Sequence, residues 1–340
     1  MTYEPGEIYF VREQERTGRD SAFVKIGLVR YREKRDSYNR LAEHQTGNPR
    51  KLHLIPSEIV KTQAVDMVEA QMHRLFASRR VSGEWFEFGG EGEIAEAVAK
   101  AQALAREAAE IVPVFDQAAA FKMQASVSSG GRVATEQELE WSHQIACASA
   151  EIKLIKEAQD AIKKVLVAAV DAGQDVSAVA KTKVINYEPK FLEEDFADAH
   201  PDLYEQYKAD VSDWENKFLP KAKVKNEQLD DEFLDVMAEI TSIIAGITDH
   251  SQVYQLNIPS LDLTHLLGLA EWKKDLASAR LQVALGTDDE IKGVCTWKRY
   301  ERITRKFQSD LFAAENPDLA KQFLSDPVSK EYVNVKKTKS

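Results

Sequence analysis

Cysteine is almost missing from this 340-residue chain: the two present, Cys147 and Cys295, lie far apart and outside any CxxC pattern. That scarcity argues against a disulfide framework or a thiolate zinc site and fits a reducing cytoplasm. Long apolar runs are also absent; none approaches the roughly 20 residues that span a bilayer, so no membrane partner is expected. The opening Met1-Thr2-Tyr3-Glu4-Pro5 has no basic stretch followed by a hydrophobic one, and no secretory signal is expected there. Positive charge is in deficit, with 45 Lys+Arg against 56 Asp+Glu and a net charge of −11. A surface this acidic does not wrap nucleic acid as a whole. The deficit is uneven, however: residues 1–85 carry 15 Lys+Arg against 12 Asp+Glu, and the remainder 30 against 44. A locally basic N-terminal face can hold phosphates while the acidic remainder keeps the chain soluble.

What is present begins with two short β-branched and aromatic runs, 8–11 and 23–26, separated by a polar stretch containing Gly18. They read as a hairpin with a long loop. Residues 36–45 read as a helix that places Arg40 and His44 one turn apart, stopped by Gly47 and Pro49. A third strand is expected over 52–60, weakened by Pro56. Residues 62–76 form the clearest amphipathic helix, with Val65, Val68, Met72 and Leu75 or Phe76 on one stripe and Glu69 and His73 beside it. Trp85 to Phe88 is a last short strand, and 93–109 an alanine-rich helix. Gly130-Gly131, within 126–132, marks the expected flexible joint.

Beyond that joint the pattern is mainly helical. Ile145, Ile152, Ile155, Ile162, Val165 and Ala169 fall near a 3.5-residue spacing, which predicts helices paired in a hairpin or short coiled coil. There is also an internal repeat. Lys190-Phe191, Phe196-Ala197, Pro201-Asp202-Leu203 and Gln206-Tyr207 recur 116 residues later as Lys306-Phe307, Phe312-Ala313, Pro317-Asp318-Leu319 and Gln322-Phe323. In each copy a proline is placed to open a helix. The expected organisation is a domain over 1–110, a linker over 111–132, and two helical repeats over 133–225 and 226–340.

The chemistry-bearing residues lie in the first quarter. Cleaving a phosphodiester requires a base for water, charge on the phosphorane to be met, and a stabilised leaving oxygen. Glu69 suits a single Mg²⁺, which usually keeps most of its waters. Arg40 suits the phosphate, through paired donors. Tyr9 or Lys25 suits the proton transfer, provided a neighbour lowers its pKa. Lys25 stands in an otherwise apolar strand, where its charge is costly unless the strand lines a cleft. Taken singly, each residue also fits a structural role: Tyr9 in a core, Arg40 and His44 on a solvated helix face, Glu69 and His73 as a surface pair.

The order Glu7-Ile8-Tyr9-Phe10-Val11, Val24-Lys25-Ile26-Gly27, Arg40…His44, Glu69…His73 and Gly83-Glu84-Trp85-Phe86 resembles the GIY-YIG nuclease superfamily over about residues 6–90. It is closest to the phage-type branch, with KIG in place of YIG and a GEWF motif. The resemblance implies an α+β fold with a small three-stranded antiparallel sheet flanked by helices. It also implies a Mg²⁺- or Mn²⁺-dependent endonuclease acting on DNA. By that likeness Tyr9 activates water and Lys25 stands at the second motif's tyrosine. Arg40 contacts the scissile phosphate, His44 assists proton transfer, and Glu69 ligates the metal. His73 and Trp85 are branch hallmarks with structural roles. The asparagine of some members has no counterpart here. Further on, Leu285-Gly286-Thr287-Asp288-Asp289, Cys295-Thr296-Trp297-Lys298 and Asn316-Pro317-Asp318-Leu319 are similar to the helical accessory segment of YqaJ-type phage recombination exonucleases. That likeness implies a phage or prophage DNA-processing context. The alternative function is a catalytically weak module that binds DNA or a protein partner of a recombination complex, the helical region serving self-association or docking.

Overall fold

The computed structural model describes residues 3–177 and 179–335. The hairpin forms from β1 (Gly6–Gln14) and β2 (Asp20–Arg30), with Tyr9 opposite Gly27 and Val11 opposite Lys25. Both strands outrun the apolar stretches that nucleate them. The polar flank can pair because buried Arg12 is met by the carboxylates of Glu58 and Glu91. Helix α1 (Ser37–Gly47) starts at a reciprocal cap: Asp36 accepts from the Asn39 amide at 2.9 Å, and the Asn39 side chain accepts from the Asp36 amide at 3.0 Å.

The single strand expected over 52–60 is two. Pro56 opens a one-turn 3₁₀ helix that separates β3 (Lys51–Leu54) from β4 (Val60–Thr62), and both halves pair with β1. After α2 (Val65–Leu75) come β5 (Arg80–Ser82) and β6 (Trp85–Glu87). The sheet therefore has six short antiparallel strands in the order β3-β1-β2-β6-β5, with β4 also on β1, where three were expected. Its two faces differ. Ile8, Phe10, Val24, Ile26, Leu28 and Phe86 pack under α2 and the next helix, whereas Tyr9, Val11, Val29 and Leu52 pack with Leu41 of α1 and Trp85.

Helix α3 (Glu91–Lys122) runs on past residue 110, through Pro113, so the first part of the expected linker is helical. The remainder is held rather than free. Ser126 and Val127 donate backbone hydrogen bonds to Arg299 and Thr287, both at 2.8 Å, and Arg132 accepts one from Lys292 at 2.9 Å. Buried Arg299 caps the end of α3 by donating to the Phe121 carbonyl at 2.9 Å.

The second region holds more strand than its composition suggests. It comprises α4 (Glu136–Asp171), β7 (Ala180–Tyr187), α5 (Glu193–Ala199), α6 (Pro201–Gln206), β8 (Lys208–Pro220), α7 (Asp231–Gly246), α8 (Asn257–Leu285), β9 (Glu290–Ile291), β10 (Cys295–Phe307), α9 (Ser309–Glu315), α10 (Pro317–Gln322) and β11 (Val328–Val335). The long α4 and α8 pack antiparallel: Ile145 near the start of α4 clusters with Leu281 and Leu285, and Leu166 and Ala169 near its end cluster with Leu256 and Leu263. No described helix is long and apolar enough to cross a membrane.

Two ribbons extend from this body, β8 with β10 and β7 with β11. They were missed at the sequence level because neither buries a continuous face, so the apolar alternation that announces a strand is absent. The ribbons meet at a small aromatic head of α5, α6, α9 and α10, where Phe196 and Phe312 pack at a tilt with ring centroids 4.4 Å apart. Both short prolyl helices open on the expected residues, Pro201 and Pro317. The two segments hold one another reciprocally: Leu192 donates to the Phe323 carbonyl at 2.7 Å, and Gln308 to the Tyr207 carbonyl at 3.0 Å.

Candidate active site

Four elements carry the sequence-identified residues. β1 supplies Tyr9 and β2 supplies Lys25 on one face of the hairpin, α1 supplies Arg40 and His44, and α2 supplies Glu69. Tyr9 can stand there because its register partner is Gly27. A Cβ at Gly27 would lie 2.5 Å from the Tyr9 hydroxyl and 2.6 Å from Cζ. The glycine is required by the ring that crosses it.

Tyr9 is fully buried, and its hydroxyl lies 3.2 Å from His44 Nε2. Burial raises the phenol pKa, while the neighbouring Arg40 cation pulls it down and Glu84 and Glu69 push it up. The phenol is therefore protonated at neutral pH. His44 is shifted the other way, down to about 4, by burial and by Lys25 and Arg40. A neutral imidazole beside a protonated phenol is an acceptor facing a donor.

Arg40 is buried, and its Nη1 donates to Glu43 at 2.6 Å. Its other two nitrogens, Nε and Nη2, form the side-on pair of the guanidinium fork; both are buried and neither makes a hydrogen bond of full geometry, although the guanidinium approaches the Tyr9 hydroxyl closely enough to lower its pKa by hydrogen bonding as well as by charge. Glu69 is buried too, and its Oε1 has no partner. Burial, then Glu84, hold the Glu69 carboxyl well above its ordinary pKa, with Lys25 opposing. Glu69 and His73 are thus interior residues rather than a surface pair.

Glu84 is the residue sequence reasoning overlooked. It is buried and forms an ion pair with Lys25, which is also buried. The available signal was Lys25 itself: a lysine in an apolar strand requires a counter-ion, and Glu84 sits in the motif that pairs with β2. Trp85 packs on the Tyr9 face, opposite Lys25 in register.

His73 stands behind the site. The Ile26 carbonyl, 2.9 Å from His73 Nε2, can only accept, so that nitrogen carries the proton. His73 Nδ1 is then an acceptor, and His265 Nε2, at 3.0 Å, must donate to it. Arg80 approaches His265 Nδ1 and is ion-paired with Asp262. This one-way chain ties α8 to α2 and to the backbone next to Lys25. It explains the structural role expected of His73, and burial depresses both imidazoles, His73 to about 3.

A divalent cation fits Glu69 on two counts: an unsatisfied buried oxygen, and a second carboxylate close enough to disfavour its charge. Among the described residues no three His, Cys, Asp or Glu side chains form a protein-only cage. The fit is to a hydrated ion with one or two carboxylate ligands. No family model matches this chain, and no curated protein or solved structure does.

Proposed function

We propose that the N-terminal domain hydrolyses phosphodiester bonds in DNA as a Mg²⁺- or Mn²⁺-dependent endonuclease of GIY-YIG type. One observation carries the reading. Two buried donors of Arg40 and a buried acceptor of Glu69 lack well-formed partners, and these groups lie within electrostatic reach of one cluster: Arg40 and Glu69 both act on Tyr9, and Lys25 acts on His44 and Glu69. Folded proteins leave few such groups unsatisfied. An anion with two oxygens for the guanidinium and a cation for the carboxylate would satisfy all three at once, and a metal-bound phosphodiester is both.

In this reading Arg40 Nε and Nη2 clamp the phosphate and fix its orientation. The protonated Tyr9 is a poor base by itself. It passes a proton from the attacking water to neutral His44, which the flanking cations keep unprotonated. Lys25, held by Glu84, adds positive charge toward the phosphorane. Glu69 would hold the cation, whose chemistry is to neutralise charge on the phosphate and leaving oxygen.

We also infer that 133–225 and 226–340 descend from one duplicated unit. The matching prolyl helices and the reciprocal Leu192–Phe323 and Gln308–Tyr207 hydrogen bonds support this. A phage or prophage setting remains part of the proposal through the likeness to YqaJ-type accessory segments.

Supercoiled plasmid incubated with Mg²⁺ tests the activity. The wild-type chain should nick or linearise it, and Glu69→Gln and Arg40→Ala should not. Cleavage by Glu69→Gln at the wild-type rate would remove the assignment.

A further inference from the structure

The β7–β11 ribbon has two unlike faces. Opposite residues of an antiparallel pair share a face. Thr182 of β7 therefore lies with Val333 of β11, and on this side Ala180 and Val333 are buried against the end of α4. The other side carries Lys181, Lys183, Ile185 and Tyr187 from β7 and Asn334, Tyr332, Lys330 and Val328 from β11. It holds three lysines, two tyrosines and no acid. All three lysines are exposed, and none has an ion-pair partner among the described residues. The tyrosine hydroxyls meet at 2.7 Å, which ties the two side chains together across the face between their rows. Lys330, and Lys190 just beyond the strand, lie within electrostatic reach of the Tyr187 hydroxyl.

This is unusual in a chain of net charge −11. The neighbouring β8–β10 ribbon also carries many cations, but there Arg302 is paired with Glu215, Lys306 with Asp213 and Arg305 with Glu205. On the β8–β10 ribbon Lys217 and Lys298 are exposed without an ion-pair partner among the described residues, on a face that also carries Glu215 and Asp213, whereas the outer face of β7–β11 carries no carboxylate at all. One end of its inner face, at Ala180 and Val333, is set against α4, so the outer face is the side turned away from that helix.

We propose that the outer face of the β7–β11 ribbon is a DNA-binding arm that lies in the major groove of a duplex and holds it for the nuclease site. The inference rests on the cleavage reading only for its purpose, not for the binding itself. A ribbon of 8 residues per strand is about 26 Å long at roughly 3.3 Å per residue, and the major groove admits a two-stranded ribbon. Its lysines would meet phosphates on the groove walls. The tyrosine pair would sit toward the base edges.

The test uses the full-length chain carrying Glu69→Gln, in EDTA, so that nothing is cut. Fluorescence anisotropy with a short labelled duplex is measured across a salt series. Replacing Lys181, Lys183 and Lys330 by Gln should flatten the slope of log K against log salt by about 2.7, since each phosphate contact contributes about 0.9. Near 0.1 M salt that corresponds to a loss of roughly a hundredfold or more in affinity. The triple Lys→Arg chain should keep both slope and affinity. If the triple glutamine chain fails to fold, each single substitution should flatten the slope by about 0.9. A single strand, which has no groove, should bind at least about tenfold more weakly than the duplex. An unchanged slope in the glutamine variants, as expected if the ribbon serves a protein partner, overturns the arm. Equal affinity for single strand and duplex overturns the groove. Neither outcome touches the cleavage assay, and a chain that binds through the ribbon but never nicks plasmid would reject only the nuclease reading.

Discussion

The crossing of Tyr9 over Gly27 can be tested as a coupled pair. In Gly27→Ala the new Cβ would lie 2.5 Å from the hydroxyl, and ordinary contact begins at 3.4 Å, so the ring must move by about 0.9 Å. The ring cannot give way easily, because it is fully buried and held by His44 at one end. Overpacking of this size costs about 1–3 kcal/mol. Tyr9→Leu shortens the side chain to before the clashing atoms, at the expense of a cavity. In the Leu background Gly27→Ala should then cost little. Urea unfolding of the wild type, both single variants and the double variant closes the cycle, with an expected coupling of about 1–2 kcal/mol. Additive effects, to within about 0.5 kcal/mol, would refute the steric argument. Plasmid nicking by Gly27→Ala supplies a second readout. A displacement near 1 Å at a catalytic group costs on the order of a hundredfold in rate.

Three further outcomes follow from the buried charges. Glu69→Gln should raise the thermal midpoint in metal-free buffer at pH 8: a carboxyl whose folded pKa is raised loses stability as pH climbs above its ordinary value, and the amide does not. A lower midpoint in Gln than in wild type would contradict this. Lys25→Met and Glu84→Gln should each destabilise by about 3–5 kcal/mol, since each leaves an unpaired buried partner. The double variant should recover most of that loss in urea titrations, and failure to recover would show that the ion pair does not isolate the two charges. His44 and His73 titrate at about 4 and about 3 when folded, against 6.5 ordinarily. As pH falls below 6.5 the unfolded chain takes up protons first. In the Glu69→Gln chain, which removes the opposing buried carboxyl, stability should be full above about pH 7 and fall as pH drops from about 6.5 toward about 4. A flat urea midpoint over that range would disprove the buried neutral imidazoles.

The site was legible where chemistry and spacing coincide. Arg40 and His44 sit one turn apart on a capped helix, and Tyr9 and Lys25 fall on the same face of a hairpin whose register the apolar runs fix. Glu84 was not legible, because a carboxylate between Gly83 and Trp85 looks like turn polarity until β6 pairs with β2 and aligns it with Lys25. His265, Arg80 and Asp262 were hidden for another reason: two of them come from α8, and nothing local in that helix signals that it docks on α2. In the second region the helical stretch from Glu136 was readable from its apolar spacing, but it is one helix where a paired hairpin was expected, and its partner α8 was not foreseen. Nor were the ribbons, since a strand solvated on both faces carries no alternation. The prolyl helices were visible as a repeat, but the way their flanking strands interlace has no sequence signature.

That interlacing has a consequence for how the polypeptide comes together. Strand β7 finds its hydrogen-bonding partner only in β11, with Tyr187 and Val328 already 141 residues apart. While the protein is being synthesised, β7 and β8 leave the ribosome with open edges and must wait until nearly the whole chain has emerged. Pairing over such a span is slow, and unpaired edges invite association with other chains. A product truncated before residue 295 would therefore keep its first hairpin but leave two orphan strands exposed, so premature termination should yield aggregates rather than a working fragment.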